Sequence, residues 1–244
     1  EWLLNQYIHH TRRKVWEPLS EMFPLRQEGY LMLIRINKQH LILNEEMKRE
    51  IGYFIKKHLI DTSSITFQVN GTENLLAVLA LSGSRIEQEQ ITQIEEFIQN
   101  ILVLEKNRIY FAVSSLYTDM ESCGNKAYEE AMAAMKYSFY EEERYLQAEK
   151  YLSDEKQEDS VGSEAILNSI KEGNLEKSEA IFEKITEVLS EHKSVQPDIF
   201  KRKIVFFFFR ILRYMEPYLK AEHLSELNAL DNRLIESQWY SELK

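Results

Sequence analysis

Ile65 to Leu81 reads ITFQVNGTENLLAVLAL, two apolar runs on either side of Asn70-Gly71. Asn and Gly both tolerate positive φ, so an Asn-Gly pair between β-branched and aliphatic runs signals a β-hairpin, with two or more residues in its turn. In the first run Ile65, Phe67 and Val69 alternate with Thr66 and Gln68, the period of a strand that covers a core with one face. The second run, Leu75 to Leu81, is apolar at every position, as befits a central strand buried on both faces. A central strand requires further strands and covering helices.

The flanking sequence supplies them. Gly29 opens a strand through Tyr30 to Ile36, and Leu43, Met47, Ile51, Phe54, Ile55 and Leu59 follow at helical spacing. Asn44 is placed to cap that helix, with Glu45 and Glu46 in its first turn. After the hairpin, Ile86, Ile91, Ile94, Phe97, Ile98, Ile101 and Leu102 mark a second amphipathic helix, and residues 108 to 115 a further strand. Met120, Cys123, Ala127, Ala131, Ala134, Met135 and Phe139 mark a trailing helix whose small residues allow close approach to a sheet. Residues 144 to 151 add an edge strand or an irregular cover. The order β-α-β-β-α-β predicts an α+β, ferredoxin-like domain over residues 25–152, an antiparallel sheet with helices on one face.

The two ends read differently. Residues 1–24 carry Trp2, Leu3, Tyr7, Val15, Trp16, Leu19, Met22 and Phe23 in a helical pattern interrupted by Pro18 and Pro24, which predicts a bent connecting helix. The chain opens inside this pattern and is read as a piece of something larger. The charged stretch from Ser153 to Ser163 is the expected domain boundary, and residues 160–244 are expected to form an all-α helical bundle. A short helix there ends at Gly173, Asn174 caps the next, and Pro197 lies near the start of a third. The third, with Phe206, Phe207, Phe208 and Phe209, is apolar nearly all round, the signature of a bundle centre or an interface.

Composition narrows the function. A net charge of −10 argues against a broad nucleic-acid surface. The one cysteine excludes an internal disulfide framework and any multi-cysteine metal site. No signal peptide or membrane-length apolar segment is present in the sequence, since the run Ile204 to Phe209 is too short to span a bilayer. Adjacent His9 and His10 diverge on a helix, and with Arg12, Arg13 and Lys14 they read as a solvated basic face. Glu141, Glu142 and Glu143 read as a solvated helix end, and Cys123 as a small buried thiol. There is no Gly-x-Gly-x-x-Gly, P-loop, His-Glu-x-x-His or Gly-x-Ser-x-Gly motif.

The element order, together with Asn70-Gly71-Thr72-Glu73-Asn74 in the hairpin turn and Arg35-Ile36-Asn37-Lys38-Gln39-His40 at the first strand's end, resembles the GGDEF domain of diguanylate cyclases. That family has Gly-Gly-Asp-Glu-Phe in the turn and Asp-x-Asp-x-Phe-Lys at the strand end, acids that hold two divalent ions against a triphosphate. Here Arg35 and Asn37 stand at the former metal positions and the turn keeps only Glu73 of its acidic pair. The resemblance therefore implies a degenerate, non-catalytic domain with no cofactor and no metal.

Ile109 to Tyr117, followed by Ala127-Tyr128-Glu129-Glu130-Ala131 and on to Phe139, is similar to the central region of YesN-like regulators of the AraC family. Those proteins carry a strand-loop and then a Ser-Tyr-x-Glu-Ala-x-x-Ala-x-x-Tyr-x-Phe helix; Ser114 and Ser115 stand where they usually have glycine. The resemblance covers nearly the whole chain and implies a cytoplasmic regulatory segment in transcription regulation and two-component signalling. It also implies a homodimer, with Trp16 and Phe206 to Phe209 as possible interface residues. The parent protein would carry an upstream receiver or sensor module and a downstream helix-turn-helix DNA-binding module. No direct nucleic-acid contact and no membrane insertion are expected of this segment. Two alternatives remain open: a receptor that binds GTP or cyclic di-GMP without turnover, and an active cyclase.

Overall fold

The structure, a computed structural model, describes residues 2–9, 25, 27–37, 43–59, 63–72, 74–102, 109–140, 144–152, 168–174, 176–178, 180–181, 183–184, 197–202 and 204–205. Two compact units are present, residues 1–138 with 142–153, and residues 139–141 with 154–244.

The first unit is built around β1 (Gly29–Ile36). It is followed by α2 (Glu45–His58), β2 (Ser63–Gln68), β3 (Leu75–Leu81), α3 (Gln88–Leu102), β4 (Ile109–Val113) and α4 (Met120–Lys136), with α1 (Trp2–His9) ahead of it. A 3-10 turn (Tyr137–Tyr140), whose last two residues are counted with the second unit, then β5 (Tyr145–Gln147) and α5 (Ala148–Leu152) follow. The expected β-α-β-β-α-β order is present. Local chemistry explains the helix ends. The Asn44 side chain accepts from the Met47 amide at 2.8 Å, and α2 carries Glu45 and Glu46 in its first turn and Lys56, Lys57 and His58 in its last, opposite in sign to the helix's end charges.

The five strands lie in the order β2-β3-β1-β4-β5. β1 is antiparallel to both neighbours, with Gly29 opposite Leu81 on β3 and Met32 opposite Val113 on β4. β2 is antiparallel to β3, whereas β5 runs parallel to β4, so the sheet is mixed. Alternate residues of the three central strands divide between the faces. Met32, Ile34, Leu76, Val78 and Phe111 form one core cluster with Ile51 and Ile55 of α2 and Ile94 and Ile98 of α3. Arg35 reaches Ser138 beyond the end of α4, and a Cβ on Gly29 would collide with Met120, so α4 covers the opposite face.

Helices therefore cover both faces of the sheet, not one as expected. The reason lies in the strands: β1, β3 and β4 are buried at nearly every position, and each face of such a sheet must be taken out of water. The steps β3-α3-β4 and β4-α4-β5 each join parallel strands and move in the same direction across the sheet, yet their helices lie on opposite faces. The two crossovers thus have opposite hands, a departure from the usual right-handed rule that no residue pattern announces.

In the second unit the described residues from 168 onward are largely helical. Helical residues 168–171 end at Gly173, whose φ of 68° lets its amide donate to Ile170 and that of Asn174 to Ser169, both at 3.0 Å. Asn174 then caps the next helical residues by accepting from the Lys177 amide at 3.0 Å. The described residues 197–202 are helical, Pro197 among them. In the same unit Phe200 packs against Phe139 and Tyr140, with ring centroids 5.9 and 6.2 Å away.

Candidate functional site

The hairpin loop spans the six residues between Gln68 and Leu75, longer than a two-residue turn. Gly71 sits at φ 80°, a conformation that glycine adopts without the Cβ penalty. The loop closes on itself: the Thr72 amide and hydroxyl both donate to the Val69 carbonyl, at 3.2 and 2.8 Å, and the Gln68 side chain donates to the Thr72 carbonyl at 3.2 Å. The Ile36 amide donates to the Asn74 carbonyl at 3.0 Å, which ties the end of β1 to the loop. Ile36, which stands between Arg35 and Asn37, is thereby brought beside Asn74. Glu73, Trp16 and Phe206 to Phe209 lie outside the described residues.

Arg35, between Leu75 and Tyr110 in the sheet register, is half-buried. Its guanidinium donates to the Ser138 hydroxyl at 3.3 Å. Burial pulls its pKa down, and the neighbouring Tyr110 works in the opposite direction. Among the described residues it has no carboxylate partner; it lies beyond the C-terminal end of α4, where carbonyl dipoles favour a cation. A fixed positive charge here repels a divalent ion. Among the described residues no group of three or more His, Cys, Asp or Glu gathers to hold a metal.

The loop's outward amide is also engaged. The Asn70 amide donates to the side-chain oxygen of Asn5 at 2.8 Å, and the Asn5 amide nitrogen donates to the Gln68 carbonyl at 2.9 Å. Asn5 is 1% exposed. One α1 side chain thus holds the start of the loop on either side of Val69. Two residues on, Tyr7 sits against Gly124 of α4, where any Cβ would collide with its ring. Its hydroxyl donates to the Met120 carbonyl, and Asn125 donates to the Ile8 carbonyl at 2.8 Å. Burial raises the Tyr7 pKa, with smaller contributions from Cys123, Asp119 and Glu121. Cys123 is half-buried, not a core thiol as expected; Gly124 takes the buried position because only glycine leaves room for Tyr7.

The segment after β4 forms a second polar cluster. The Ser114 hydroxyl accepts from the Leu31 amide at 3.0 Å and donates to the Ser115 carbonyl at 2.9 Å. Glu130 of α4 accepts from the Ser115 amide at 3.1 Å and the Tyr117 hydroxyl at 2.5 Å. Burial, and then Glu130 itself, raises the Tyr117 pKa. Asn5, Tyr7, Tyr117, Glu130 and Ser138 were not singled out as site residues from the sequence. Asn5, a polar residue on an otherwise apolar helical face, and Gly124, a gap in a helix, were the available signals.

No known protein family, curated protein or solved structure matches the chain.

Proposed function

We propose that the chain is a non-catalytic regulatory and dimerisation segment of an AraC-type transcriptional regulator of the YesN-like kind, which relays an upstream signal to helix-turn-helix DNA-binding units. The observation that carries this reading is the bonding of the β2–β3 loop to α1: the loop that serves as an active-site turn in GGDEF domains is here closed by its own groups and by Asn5. Arg35 at a former metal position supports it. So does the strand order β2-β3-β1-β4 with antiparallel neighbours, the arrangement of a ferredoxin-like core. Glu130 gives the Tyr-x-Glu-Ala motif a physical role, tying the strand-loop to its helix.

The segment works as a homodimer in the cytoplasm, through Trp16 or Phe206 to Phe209. Its dimerisation is tested by fusing it to a monomeric helix-turn-helix module whose operator binding needs two copies. Operator occupancy well above that of the module alone is expected; equal occupancy, together with a strict monomer in sedimentation at high concentration, rejects the dimer. Incubation with GTP and Mg²⁺ is expected to yield no cyclic di-GMP, and product formation rejects the non-catalytic reading.

A second reading rests on Arg35, a cation without a carboxylate partner among the described residues. In it the loop and strand end bind GTP or cyclic di-GMP without turnover. Calorimetric titration decides: heat that disappears in Arg35→Met supports this reading, and no heat with either nucleotide removes it.

A further inference from the structure

We infer that α1 is a strap that couples the β2–β3 loop to the N-terminal half of α4, so that its contacts with the two are made and lost together. The inference rests on the contacts alone and not on the gene-regulator reading. The described residues of α1, Trp2–His9, are held to the rest of their unit by side-chain and backbone contacts. Among the described residues, docking contacts are made on two separate elements. At the loop, Asn5 accepts from the Asn70 amide and donates to the Gln68 carbonyl. At α4, Tyr7 fills the notch left by Gly124 and bonds the Met120 carbonyl, while Asn125 satisfies the Ile8 carbonyl near the end of α1. His9 adds an edge-on ring contact with Tyr128, centroids 5.0 Å apart.

Asn5 and Tyr7 are two residues apart on the same helix. Removing either anchor withdraws the support that keeps the other residue helical and in place. Displacing α1 would then release an amide and a carbonyl at the loop and, at the same time, open the Gly124 notch. A pull or push on this helix would be felt at both places. An opening confined to α1 leaves the β1 ladder intact, because that ladder is made with β3 and β4.

Amide hydrogen exchange by NMR on the full chain tests the coupling in both directions. Gly124→Ala, which drives Tyr7 from its notch, is expected to raise exchange of the Asn70 amide roughly tenfold while the amides of Leu33 and Ile34 keep their rates. Asn5→Leu is expected to shift the side-chain amide signal of Asn125 towards that of a solvated amide. Should Gly124→Ala fail to fold, Tyr7→Phe, which keeps the ring and removes the hydroxyl that bonds Met120, carries the first arm. An unchanged Asn70 rate, or an unchanged Asn125 signal in Asn5→Leu, shows the anchors to be independent and overturns the strap. A rise shared equally by Leu33 and Ile34 shows global loosening and overturns it as well.

Discussion

Glu130 and Arg35 show how differently two charged residues behave at the same sheet. Glu130 has two donors on its two oxygens, a backbone amide and a phenol, and so holds the segment after β4 against α4. Such charge-assisted bonds are worth more than neutral ones. Glu130→Ala leaves the Ser115 amide and the Tyr117 hydroxyl without that partner and is expected to cost about 2 kcal/mol, read from the urea midpoint. Arg35, by contrast, is bonded to a hydroxyl and not to a carboxylate among the described residues, so the removal of its charge from water is only partly offset. Arg35→Met keeps the aliphatic stem and drops the charge. It is expected to leave the urea midpoint unchanged or raised; a loss of about 2 kcal/mol or more would mean that the guanidinium stabilises the fold and that this account of it is wrong.

Among the elements, α4 has the most demanding packing. Ala127, Ala131 and Ala134 are fully buried, so the helix backbone lies close to its neighbours without room for larger side chains. Ala131→Leu is expected to destabilise by about 1–3 kcal/mol through overpacking, seen as a lowered Tm with the far-UV spectrum retained. That α4 lies close to a sheet was legible in its small residues, and the hairpin was legible in Asn70-Gly71 and the runs beside it. The side of the sheet that α4 occupies was not, because a fully apolar strand looks the same from both faces and the hand of a crossover leaves no periodic mark. The site was half legible. The loop itself was legible in Asn70-Gly71, but the grip of Asn5 on Gln68 and Asn70 joins positions more than sixty residues apart.

At the scale of the molecule, two ion pairs between distant segments give stability opposite responses to pH. Glu95, whose side chain is 12% exposed, pairs with Arg144, yet burial outweighs that partner and raises its pKa. A carboxyl raised in the folded state binds its proton more tightly there than in the unfolded chain. Its contribution is therefore fully present below the unfolded pKa and is lost as pH rises through the folded one. Glu149, more exposed and paired with Arg85, is lowered chiefly by that hydrogen bond, and its small contribution is lost as pH falls. Glu95→Gln is expected to flatten the decline in Tm from acid to neutral pH; an unchanged or steeper decline would show that Arg144 dominates. Among the described residues no helix is long and apolar enough to cross a membrane.

Sequence by itself determined what depends on near neighbours along the chain. The strands follow from runs such as Leu75 to Leu81, the cap of α2 from Asn44, and the helix stop and restart at Gly173 and Asn174 from φ and side-chain reach. Tertiary structure alone decided which face each helix covers, that β5 joins in parallel, and that α1 grips both the loop and α4. Those outcomes depend on apolar area, notch shape and unpaired backbone groups contributed by segments far apart in the chain. No local pattern records such pairings until the segments meet.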